Sequence, residues 1–205
     1  MIVEQAPPSW HGAAHARNLT SAALRMTYQL RPHGAHQVGT TGPLLMVTRC
    51  EGVLAGPFVR ALAPRPIHVI ANEAMARAVP AGVMAKAGDI SSDGPYAITV
   101  QRQALSALAD ERAVLLAGSA VSVGYLAAMS GAPVVAVVLV GADGRVPTDP
   151  PRPRSRIDVF FSEPVQLTFP GDPLRSTTRA AAVEQIRQLV ADAEKVATMR
   201  MGGVR

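Results

Sequence analysis

Three groups of residues have types and spacings suited to chemistry. Cys50 is the one cysteine of the chain, set in LLMVTRCEGVLAGP at 44–57 between an apolar run and what reads as a helix start. A thiol at a helix N-terminus loses its proton more readily and becomes a nucleophile, here an acyl carrier. Glu51 beside it opposes that ionisation, and a lone cysteine is more simply a small buried apolar residue. The second group is Gly118 and Ser119 with Ser122, in AVLLAGSAVSVGYLAAMSG at 113–131. A strand passing through a tight turn into a helix leaves backbone N–H groups and the helix dipole facing the turn, which attracts anions. No lysine follows as in a P-loop and no G-x-S-x-G elbow is formed, so a plain tight turn at Gly118 is the simpler reading.

The histidines are the third group. His11 and His15 stand four apart, as metal ligands on a helix do, yet no acid lies between them and Gly12 weakens the helix there. Surface histidines are the simpler reading, and no metal is expected. His33 and His36 lie in a loop-like stretch with no neighbouring nucleophile, and His68 sits inside a strand candidate as a packed or edge residue.

The elements that must position these groups follow from the apolar pattern. At 205 residues the chain suffices for one well-buried domain, with a core of Ala, Val and Leu because aromatics are only 4%. Short apolar runs at 44–48, 67–71, 113–117, 133–140 and 157–161 read as strands. Between them, 56–63, 75–87, 100–109 and 121–130 read as helices. A long helical stripe closes the chain over 177–198, through Ala181, Val183, Ile186, Leu189, Val190, Ala193 and Val196. Residues 1–12 read as an irregular lead-in and 13–29 as an amphipathic helix, either packed on its own domain or docked on a membrane surface or partner. Alternating strands and helices make this an α/β layered domain.

Charge and cysteine content narrow the function classes. The net charge is +5, and all but two of the 20 basic residues are arginine, whose planar fork suits anionic partners such as lipid head groups, coenzyme A or nucleic acid. Nucleic acid ranks last, since no basic helix or aromatic platform is present. A single cysteine excludes an internal disulfide and a multi-cysteine metal site. No secretory signal is evident, and the longest apolar run, 131–142, is too short to span a bilayer. A cytoplasmic protein is expected, attached if at all at the inner face of the membrane, and no cofactor is expected.

In order and spacing, TGPLLMVTR, LAGPFVRAL, RPIHVIANEAM, KAGDISSD, SGAPVVAVVLVG and RIDVFFSEPVQL resemble the glycerolipid acyltransferases, which acylate glycerol phosphates such as lysophosphatidic acid. The likeness covers about residues 30–198. It implies a central, mostly parallel sheet flanked by helices, glycerol-3-phosphate acyltransferase-like, over 30–205, with 1–29 as an N-terminal segment bearing the amphipathic helix. It also implies an Asn-His-x4-Asp motif after the GPLLMV-like strand, with the histidine as general base on the glycerol hydroxyl. Here those places hold Arg49, Cys50 and Ala55. The family's substrate-binding arginine falls at Gly94. Its Phe-Pro-Glu-Gly-Thr-Arg motif aligns with LLAGSA, so the glutamate becomes Ala117, the arginine becomes Ala120, and Gly118 stays. A proline common inside the next buried strand is replaced by Ala136.

Scaffold features are kept and chemical ones are gone. Loss of a general base alone lowers a rate by about 10²–10⁴, and losing the phosphate-clamping arginines weakens binding as well. The resemblance therefore implies a catalytically inactive relative in phospholipid metabolism that partners or regulates an active acyltransferase or another lipid enzyme. Two alternatives stand beside it: an acyl-CoA or lysophospholipid binder using Gly118, Ser119 and Ser122, and an acyltransferase with altered chemistry at Cys50.

Overall fold

The computed structural model describes residues 8–90, 97–118, 123–169 and 171–202. Helix α1 (Trp10–Thr27) leads into strand β1 (Gln29–His33), followed by β2 (Leu44–Thr48), α2 (Ala55–Leu62) and β3 (Ile67–Ile70). Helices α3 (Glu73–Ala78), α4 (Ala81–Lys86) and α5 (Ala97–Ala109) precede β4 (Ala113–Ala117) and α6 (Val123–Ser130). Strands β5 (Val134–Val140) and β6 (Arg156–Phe161) and the long helix α7 (Ser176–Gly202) complete the chain. The strands form one sheet in the order β1-β6-β5-β2-β4-β3. Every neighbouring pair is parallel except β5 with β6. This is the expected α/β architecture.

Both faces of the sheet are covered, which is why its inner strands read as unbroken apolar runs. Met46, Leu115, Val135 and Ile157 point to one face and pack with Phe58 and Val59 of α2 and Leu24 of α1. Leu45, Val114 and Val134 point to the other, against Leu126 of α6 and Ile186 and Val190 of α7. Burying a side chain of this size contributes about 1.5–3 kcal/mol. Val183 and Val196, counted in the α7 stripe by spacing, are exposed, and Ala182, Ile186, Val190 and Ala197 form the inner row instead.

Three boundaries differ from the sequence reading, each for a local reason. Helix α1 begins at Trp10 because the Ser9 hydroxyl accepts the Gly12 N–H at 3.0 Å and caps it. Gly12 is not a breaker but a contact point: a Cβ there would lie 2.3 Å from the Lys86 carbonyl. The helix expected over 75–87 is two helices, because Pro80 has no N–H to continue the first. Strand β1 takes in His33, which was expected in a loop-like stretch. It lies at the sheet edge with Gln29 N–H donating to Ser155 O, so alternate residues 29, 31 and 33 face β6 and Pro32 faces outward, where no donor is needed.

The parallel strands end together, and that end carries the site. Because β6 runs opposite to β5, its first residues lie at the same end: Val140 pairs with Asp158. So does the start of β1, where Gln29 pairs with Arg156.

Candidate functional site

Strand β2 ends at Thr48 and the chain crosses Arg49–Leu54 before α2 begins. Four neighbours hold that crossing. The Thr48 hydroxyl accepts the Cys50 N–H at 3.2 Å, and the Thr48 carbonyl accepts the Gly118 N–H at 3.1 Å. Val53 N–H donates to Pro147 O at 2.8 Å. Asn72, at the start of α3, accepts the Met75 N–H at 2.8 Å and donates to the Glu51 and Gly52 carbonyls at 2.9 and 3.3 Å. Below the crossing, a buried ion pair between Arg60 of α2 and Asp89 locks α2 to the 88–90 segment; Asp89 also accepts the Val69 N–H at 3.2 Å.

Beside the crossing lies a cavity of about 560 Å³, lined among others by Arg49, Cys50, Glu51, Asp143, Arg145 and Glu194. A second hollow of about 330 Å³ opens on the other side, between Val47, Thr48, Arg49, Glu51, Leu116, Gly118 and Val123. The larger cavity therefore sets three carboxylates against two guanidiniums, and Arg49 already meets Glu194 at 3.4 Å. An anionic ligand there would face a surplus of like charge.

Cys50 lies half-buried in the larger cavity, with its thiol donating to Asp143 Oδ1 at 3.7 Å. Burial pushes this thiol above its ordinary pKa, and the charges of Asp143 and Glu51 act in the same direction; the Gly52 backbone opposes them. Helix α2 starts five residues further on, so the N-terminal activation considered for Cys50 does not apply. Cys50 is a neutral thiol near neutral pH. Ala55, fully buried at the first turn of α2, adds only a methyl group to the core.

Gly118 closes the turn after β4 with φ of 54°, and a Cβ there would lie 2.8 Å from Glu51 Cγ. The structure thus brings the Cys50 and Gly118 segments together. The Gly118 N–H is spent on Thr48, so it offers nothing to an anion. Ser119 and Ser122, with Ala120 and Gly94, lie outside the described residues. Among the described residues, no group of three or more His, Cys, Asp or Glu is placed to hold a metal ion.

No histidine lines either hollow. His68 is fully buried in β3, with Nδ1 2.7 Å from the Gly88 carbonyl and its ring 5.9 Å from Trp10. Burial lowers its pKa to about 4. His36 is exposed in the short turn after β1. An imidazole–carboxylate pair does exist at a place sequence reasoning missed. His33 Nε2 lies 2.7 Å from Asp158 Oδ1, the ring stacks on Phe160 with centroids 4.2 Å apart, and Arg156 grips the same carboxylate through two nitrogens at 2.6 and 2.9 Å. Burial pushes the Asp158 carboxyl up, but the bonds from Arg156 and His33 together outweigh it and hold the group below its ordinary pKa. Strand β1 is three positions from β2 in the sheet. At about 4.8 Å per strand that is roughly 14 Å, out of reach of proton transfer at Cys50.

No family model and no curated protein matches the chain. Among solved structures, it is similar to the 1-acyl-sn-glycerophosphate (LPA) acyltransferase PlsC from Thermotoga maritima, with a TM-score of 0.60 over 88% of this chain and 79% of that one. Sequence identity is 14%, so what the two share is the fold: a six-stranded, mostly parallel sheet flanked by helices. The acyltransferase-like fold expected from the segment order is the fold observed.

Proposed function

We propose that this protein is an acyltransferase-fold component of glycerolipid metabolism that has lost acyl transfer and acts as a partner or regulatory subunit of a lipid-biosynthesis enzyme at the cytoplasmic face of a membrane. One observation carries this reading. At the end of β2, where the resemblance calls for a histidine oriented by a carboxylate, the chain offers a neutral thiol bonded to Asp143 and a buried methyl. Removing a proton from an alcohol needs a base within about 3 Å whose pKa lies near working pH, and a protonated thiol held by a carboxylate is not one.

The test is an acyl-transfer assay with lysophosphatidic acid and acyl-CoA, run on the chain alone and on the chain with whatever co-purifies. No product is expected from the chain alone, and a faster or longer-lived partner enzyme is expected from the mixture. Turnover by the isolated chain would overturn the reading. If Cys50→Ser abolished that turnover and mass spectrometry showed an acyl adduct on Cys50, the altered-chemistry alternative would replace it. A ligand-binding role without catalysis draws support from the 560 Å³ cavity. Against it, the surplus of carboxylates disfavours the phosphate of acyl-CoA or a lysophospholipid, and calorimetry with both ligands distinguishes the two readings.

A further inference from the structure

The positive charge of this chain is not spread evenly. On α7 and α3, basic side chains meet acids of their own helix, as Arg187 with Glu184, Lys195 with Asp192 and Arg77 with Glu73. At one corner they do not. Arg25 at the end of α1, Arg31 in β1, Arg145, Arg152 and Arg154 in the loop before β6, and Arg200 near the end of α7 are all exposed. None of the six forms an ion pair among the described residues.

Backbone contacts bring them together. Arg154 N–H donates to Thr27 O at 2.7 Å, tying the loop to the last turn of α1. Gln29 pairs with Arg156 across β1 and β6, and Arg156 reaches Met201 Sδ at 3.8 Å, which brings in the end of α7. Arg145 and Arg152 line one shared hollow. Among the acids nearby, Asp158 is held by Arg156 and hydrogen-bonded to His33, while Asp143 and Asp149 line the hollow that Arg145 and Arg152 share, so the six guanidiniums outnumber the carboxylates that no arginine holds.

The same corner exposes large apolar side chains. Met26 is 88% exposed and Leu19, two turns earlier on the same side of α1, is 61% exposed; Met199, beside Arg200, is 73% exposed. Unpaired guanidiniums interleaved with exposed apolar tips on two helices match the headgroup layer of a bilayer, which supplies diffuse negative charge above an apolar interior. Strand addition by a peptide is disfavoured, because Pro32 removes an outward N–H from the free edge of β1. The corner also lies at the end of the sheet where the cavity opens, and Arg145 lines both.

We infer that this arginine–methionine corner, formed by the ends of α1 and α7, β1 and the 141–156 loop, docks on an anionic phospholipid surface. The inference deepens the lipid-metabolism reading but stands on surface charge and exposed apolar side chains, so it and the absence of transfer fail separately.

The test is co-sedimentation of the full chain with phosphatidylcholine vesicles, with and without phosphatidylglycerol. Binding is expected only with the anionic lipid, and is expected to fall at least ~10-fold on raising salt from about 0.05 to 0.5 M. Replacing Arg25, Arg31, Arg152 and Arg154 by Gln should weaken binding at least ~10-fold. Arg77→Gln, on the far side in α3, should leave it unchanged. If the quadruple variant fails to fold, Arg152→Glu alone and the salt series on the unaltered chain still decide. No binding to anionic vesicles, equal binding to neutral ones, or binding indifferent to these changes overturns the inference. So does soluble polyglutamate that removes the chain from vesicles at matched charge concentration, which would reassign the corner to an acidic protein.

Discussion

Burial does most to keep Cys50 protonated, and Asp143 adds to it. A carboxylate accepting from the half-buried thiol, with Glu51 adjacent, further stabilises the neutral form. Cys50 should therefore alkylate with iodoacetamide more slowly than free cysteine near neutral pH, with a rate still climbing above about pH 9. Asp143→Asn should speed the reaction severalfold near neutral pH; an unchanged rate would mean that burial alone sets the thiol. His68 makes a second prediction. Its pKa falls from 6.5 to about 4 on folding, so across that interval the unfolded chain binds a proton that the folded chain refuses. Stability from this site is complete above pH 6.5, falls as pH drops through the interval, and is gone below about 4. The amount is on the order of 3 kcal/mol, read as a lower urea midpoint at about pH 4.5 than at about pH 7. His68→Leu should flatten that slope. Residue chemistry was legible where neighbours in sequence contribute to it, as Glu51 does in a small way for Cys50, whose burial and Asp143 contact were not legible. It was not legible for His33, whose partner Asp158 is 125 residues away.

Elements buried on both faces were read nearly to the residue: β2 and β4 have the expected bounds because continuous apolar runs between turn residues admit no other register. Elements at the margin were not. Pro32 marks a loop in most contexts, and only its outward place on an edge strand, invisible without the sheet order, lets β1 form. The turn at Gly88 shows the same dependence. Its φ is 70°, and a Cβ there would come within 2.4 Å of the Ser9 carbonyl, at the point where α1 crosses. Gly88→Ala should cost about 2–4 kcal/mol through backbone strain and overpacking together. The loss should appear as a lower melting temperature with a changed Trp10 fluorescence, since Trp10 sits in the first turn of α1 beside His68. Unchanged Trp10 emission would mean that α1 does not depend on this contact.

At the scale of the molecule, the sequence showed how much charge there is and the structure shows where it stands unpaired. A net charge of +5 reads the same whether arginines are scattered or gathered. Gathering needs the sheet to close, because the arginines of the corner come from both ends of the chain and from its middle. No described helix is long and apolar enough to cross a membrane. The pairing that builds this surface joins Gln29 to Arg156 and Leu30 to Ile157, strands far apart along the chain. Loops of that length close slowly, and proteins dominated by such contacts refold in milliseconds to seconds, not microseconds. Docking of the edge strand β1 on β6 is thus expected as a late step in assembly, and a chain that has not completed it holds its guanidiniums scattered on separate segments. Affinity for lipid would then report completion of folding, so that the membrane itself selects mature molecules from unfinished ones.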